Sequence, residues 1–212
     1  MQTDKVRISS SGEGTASALE ETSKFAVYVG LNDKSALRLR LLTEEMLGMV
    51  NSITGDFEAD FWLESTRKKV CRIHLVADTE MDYAKKKEFI KASSDKKNAA
   101  SKGFMGKIQE LMENGIYSLY EPGAVPMEYD NIPVMFDTWG MCDPEMASLN
   151  SCLYQWSLEK YRESIEETKA SESAAEEAWD ELEKSIVANI ADDVRVGVRG
   201  DTVELVIEKK LD

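Results

Sequence analysis

Two acids stand where they could share one task. Glu45 lies in the middle of an amphipathic stretch, LLTEEMLGMVNSI, and Asp78 closes an alternating one, IHLVAD. A helix glutamate beside a strand-end aspartate could form a ligand site. Further along, Lys102, Gly103, Gly106 and Lys107 open another apolar-periodic run through Ile108, Leu111 and Met112. Glycines at a helix start leave backbone N–H groups open to an anion, and lysines add positive charge. Each feature also has a plain reading. Arg40 and Glu44 form an i, i+4 pair, a GxxG alone is a weak signal, and a lysine run is usually a solvated face.

These residues need elements to hold them. Leu39, Leu42, Met46, Met49, Val50 and Ile53 fall within one sector of about 100° on a helical wheel, which predicts a helix with one buried face. Glu45 borders that face on one side and Glu44 and Gly48 on the other. Before it, KVRIS (residues 5–9) reads as a short strand, and Thr15 onward as a helix stopped by Gly30, with Asn32 or Asp33 to cap the next. After it, Phe57–Glu64 and Val70–Ala77 alternate as a hairpin. His74 lies in the returning strand and carries no assigned role. The chain ends in a second hairpin, Val194–Val198 and Thr202–Glu208, around Arg199, Gly200 and Asp201. A tight turn explains that RGD better than adhesion does.

Charge divides the remainder. Between residues 85 and 107 eight lysines face only Glu88 and Asp95, a local net of +6 in a chain of net charge −14. The overall charge argues against general affinity for nucleic acid or anionic membranes. Residues 115–141 hold three of the four prolines among Tyr117, Tyr120, Tyr129, Phe136 and Trp139, the composition of a loop packed on the body. From Glu145 to about Ile190 the periodicity predicts a helix pair, with a break near Ser171 or Ser173. The acidic outer face of helices 144–190 reads first as the charged, solvated side of an amphipathic pair, with a surface for a protein partner as the further reading. Cys71, Cys142 and Cys152 are far apart, with no CxxC, and read as reduced thiols; a single histidine argues against a His-based metal site. The N-terminal residues lack the apolar core of a signal peptide, so a cytoplasmic setting is expected. Homo-oligomerisation stays open.

The order helix, glutamate-bearing helix, hairpin, strand-end aspartate, polar segment, glycine-flanked helix and final hairpin resembles the GHKL superfamily of histidine-kinase-like ATPases. LLTEEMLGMVNSI is similar to its N-box helix, as seen in bacterial anti-sigma-factor kinases. The resemblance covers residues 5–115 and 193–211. It implies an α+β fold, a two-layer sandwich with helices on one face of a mixed β-sheet. The whole chain would be one domain, with 116–192 an aromatic loop plus acidic helical insertion. It also implies ATP as cofactor, with Glu45 the activating base, Asp78 on the adenine amino group, and Lys102, Gly103, Gly106 and Lys107 near the phosphates. Two positions depart from the pattern. The asparagine that holds Mg²⁺ in the family falls on Met49, a poor ligand for a cation that demands oxygen, so no metal residue is assigned. Thr79, Glu80 and Met81 stand where the family has glycines. The expectation is therefore a regulatory or protein-binding module on a degenerate ATPase fold. The alternatives are an ATP-binding kinase or ATPase of that family and an unrelated α+β interaction domain.

Overall fold

The computed structural model describes residues 1–54, 56–66, 70–79, 154–168, 179–180, 182–199 and 201–211. Their order is β1 (Val6–Ser9), α1 (Thr15–Tyr28), α2 (Asp33–Thr54), β2 (Phe57–Ser65), β3 (Val70–Thr79), β4 (Tyr154–Ser157), α3 (Leu158–Thr168), α4 (Ile186–Ile190), β5 (Asp193–Arg199) and β6 (Thr202–Lys210). The six strands form one sheet in the order β1-β2-β3-β6-β5-β4. The fold class is α+β. Every described pairing is antiparallel, where the resemblance implied a mixed sheet. Both hairpins join neighbouring strands directly, and no parallel crossover is needed to connect them.

One row of side chains shows how the sheet makes a core. Val6, Phe61, Leu75, Leu205, Val196 and Trp156 occupy successive register positions across all six strands. All but the edge residue Val6 are buried. Because side chains alternate along a strand, Ala59, Leu63, Ile73, Ala77, Val203, Ile207 and Val194 share that inner face. The apolar sides of α1, α2 and α3 pack on it in a single cluster, including Phe25, Leu42, Met46, Val50, Tyr161 and Ile165. Burial of this apolar surface is the main stabilising term of the fold.

Local chemistry fixes the helix ends. Gly14 precedes α1 with φ 81°, and a Cβ built there would lie 2.0 Å from the carbonyl oxygen of Arg7, so no other residue fits that turn. Asn32 caps α2 by accepting from the Ser35 amide at 2.9 Å, as the sequence predicts. Ser157 and Asp193 both accept from first-turn amides of α3, at 3.2 Å from Lys160 and 3.1 Å from Glu159. Arg162 on α3 then reaches the carbonyl oxygens of Ala188 and Asp192. These contacts tie α3 to both β5 and α4.

One sequence expectation changes. The helix pair predicted from Glu145 onward does not take in residues 154–157, which form β4, where Trp156 pairs with Val196 and is 7% exposed. Aromatic residues favour a half-buried pleated surface, and here a ready strand edge on β5 outweighs the helical periodicity. The aromatic segment 115–141, the helix expected at 83–90, and the segment holding Lys102, Gly103, Gly106 and Lys107 lie outside the described residues.

Candidate functional site

The α2 helix delivers its acids to two different settings. Glu44 is exposed, and its Oε1 accepts from Arg40 Nε at 3.1 Å, the i, i+4 pair read from the sequence. Glu45 is half-buried at the border of the packed face. Met49, where the resemblance would put a magnesium ligand, is 4% exposed and belongs to the core cluster. Among the described residues no group of three or more His, Cys, Asp or Glu is arranged to hold a metal ion.

Asp78 goes elsewhere. It follows Ala77, which is fully buried on the inner face, and strand alternation therefore turns Asp78 to the opposite, outer face. There it is exposed, lies opposite Glu58, and accepts a hydrogen bond from Thr202 Oγ1 at 3.0 Å. Since α2 packs on the inner face, the sheet stands between Glu45 and Asp78. The structure brings Asp78 together with Thr202, a residue the sequence reading did not select, and does not bring it together with Glu45. The two acids thus do not fit a single nucleotide site of the kind the resemblance implies.

What α2 does line is a cleft of about 230 Å³ formed with β1, the turn that follows it and the start of α1. Ile8, Leu19, Leu47 and Phe57 make its apolar walls, and Glu44 and Gly48 come from α2. Of the two adjacent glutamates, Glu44 is the one that lines this cleft. A sequence signal existed in Gly48, because a glycine inside a long helix costs about 0.5–1 kcal/mol relative to alanine.

The outer face holds a second cluster, around His74. His74 is 5% exposed and stacks on Trp62 with ring centroids 4.8 Å apart and planes 2° from parallel. Lys5 Nζ covers the Trp62 ring from 4.6 Å. His74 Nε2 lies 3.4 Å from Glu64 Oε2, but neither ring nitrogen makes a hydrogen bond among the described residues. Burial, with a smaller push from Arg72, lowers the His74 pKa to about 4, so it is neutral at pH 7. Beside it, Arg72 Nε pairs with Glu208 Oε2 at 3.1 Å with both side chains largely out of water. Cys71, on the inner face, is buried, and its thiol is pushed up to about 12 by burial and by Glu64, which makes it inert as a nucleophile.

No helix among the described residues is long and apolar enough to cross a membrane. No protein-family model, curated protein or solved structure matches the chain.

Proposed function

We propose that the chain is a cytoplasmic regulatory module that binds a protein partner and performs no nucleotide chemistry, on a fold related to the histidine-kinase-like ATPases. The observation that carries the non-catalytic half is the sheet lying between Glu45 and Asp78. A base that activates water and an acid that holds adenine must reach one ligand, and the helix that carries Glu45 packs on the face of the sheet opposite the one Asp78 occupies. Met49 in the core leaves no oxygen ligand at the position where the related enzymes hold Mg²⁺.

Support for the partner-binding half comes from α3. Leu158, Tyr161 and Ile165 anchor it to the core, while Glu159, Glu163 and Glu166 stand exposed on its other side. Such a stripe favours a basic partner surface and speeds encounter with it. On this reading Glu45 and Asp78 serve the fold: Asp78 satisfies the Thr202 hydroxyl at a strand end, and Glu45 solvates the border of α2.

The test is thermal unfolding with and without ATP and Mg²⁺. A ligand at 100 times its Kd adds about 2.7 kcal/mol of stability. The midpoint is expected to stay where it is. A nucleotide-dependent rise that Asp78→Asn abolishes would instead establish the ATP-binding alternative.

A further inference from the structure

Two residues of α2 are out of keeping with a helix that serves its own chain alone. Leu37 is 58% exposed, a large apolar side chain left in water. Gly48 lies inside a 22-residue helix, where glycine is the least favourable residue apart from proline. A Cβ built on Gly48 meets no heavy atom within 4 Å, so its own chain does not require the gap it leaves. The two stand eleven positions apart, three helical turns plus about 20°, and knob and gap therefore share one face. Leu41, half-buried, and Glu44, exposed, lie between them on the same strip. That strip points away from the sheet, because Leu39, Leu42, Met46 and Val50 occupy the opposite side of the helix.

Charge follows the same pattern. The first half of the helix carries Lys34, Arg38 and Arg40, and the second half carries Glu44 and Glu45. Arg38 and Glu45 border the strip on one side, and Arg40 and Glu44 border it on the other. The pairs Leu37 and Gly48, Leu41 and Glu44, Arg38 and Glu45, and Arg40 and Glu44 share one midpoint along the helix axis, at Leu42 and Thr43, to within a residue. A two-fold axis through that midpoint, perpendicular to the helix, sets each border against the same border of a copy with the ends exchanged. Basic residues then meet acids, and the exposed leucine meets the gap. A parallel copy would instead set Arg38 against Arg38 and Leu37 against Leu37.

We infer that α2 pairs antiparallel with α2 of a second copy of this chain, Leu37 of each lying over Gly48 of the other and Arg38 beside Glu45 of the copy. The symmetry is what selects a second copy, since a partner of different sequence needs no self-complementary strip. Arg40 keeps Glu44 of its own chain at 3.1 Å and gains the copy's Glu44 as a second carboxylate nearby. Three helical turns fall short of the roughly 1,200–2,000 Å² that stable complexes bury, so the dimer is weak and depends on concentration. It does not depend on the regulatory reading above.

Sedimentation of the full chain over a range of concentrations reads the equilibrium. A rise from monomer to dimer mass with concentration, weakened by added salt, is expected. Leu37→Glu and Gly48→Leu should both stay monomeric; position 37 is exposed and position 48 has room, and circular dichroism checks that each keeps its helix. Arg38→Glu and Glu45→Arg should each associate about tenfold more weakly alone, because like charges then face each other. An equimolar mixture of those two variants should associate as the parent does, since the mixed pair restores opposite charges at both contacts. An effect confined to one chain would not be repaired by mixing. A parent that stays monomeric at every concentration, association untouched by Leu37→Glu or Gly48→Leu, or charge variants that mixing does not rescue would overturn the pairing.

Discussion

Along β3 successive residues alternate between two environments. Ile73 and Leu75 are fully buried among the side chains of α2 and the neighbouring strands, in contacts that are apolar and interchangeable. Arg72 and His74, one residue away from each, are nearly as buried on the outer face, where they meet Glu208, Glu64 and Trp62. The inner face is stabilised by area removed from water. The outer face depends on specific partners, because a buried charge or ring nitrogen is costly unless paired. Equal burial therefore does not mean equal contribution to stability.

The comparison is broken most easily at Phe61, which lies at the centre of the inner face with no exposed surface. Phe61→Ala should lower unfolding stability by about 4 kcal/mol, from lost transfer energy and the cavity left behind. Chemical denaturation measures it, and a loss under about 1 kcal/mol would mean that the inner face is not the core. On the outer face, Glu208→Ala leaves the Arg72 guanidinium without that partner at 7% side-chain exposure. The expected cost is about 3 kcal/mol. Glu208→Ala should cost clearly more than Arg7→Ala, whose partners Glu58 and Asp60 lie in an exposed cluster and whose loss should leave the midpoint nearly unchanged.

His74 sharpens the contrast through pH. Its folded pKa of about 4 lies below the ordinary histidine value of 6.5, so the unfolded chain binds the extra proton first. Its contribution is complete above pH 6.5 and is lost as pH falls toward 4. At pH 5 the loss is about 2 kcal/mol relative to neutral pH. His74→Phe keeps a ring against Trp62 and removes the titration. The variant should therefore gain on the parent as pH is lowered from 7.5 to 5, and parallel pH profiles for the two proteins would show that His74 is not buried as described.

Much of the frame could be read directly from residues. Alternation placed β2, β3 and the final hairpin within one or two residues of their ends, and the helical spacing of Leu39, Leu42 and Met46 marked the buried face of α2. The side of the sheet that Asp78 occupies was also legible. Ile73, Leu75 and Ala77 share a parity that Asp78 lacks, which turns Asp78 to the outer face. β4 was not legible, because Tyr154 and Trp156 also suit a helix and only the free edge of β5 decides between them. Nor was the cleft, since Ile8, Leu19, Leu47 and Phe57 come from four elements and meet only through the packing of α1 and α2.

The separation of the two acids is tested most directly by a double-mutant cycle between Glu45→Gln and Asp78→Asn, read as unfolding free energy in the presence of ATP and Mg²⁺. Side chains that share no partner contribute independently, and their effects should add within about 0.5 kcal/mol. A coupling above about 1 kcal/mol would place both carboxylates on one ligand and contradict the account.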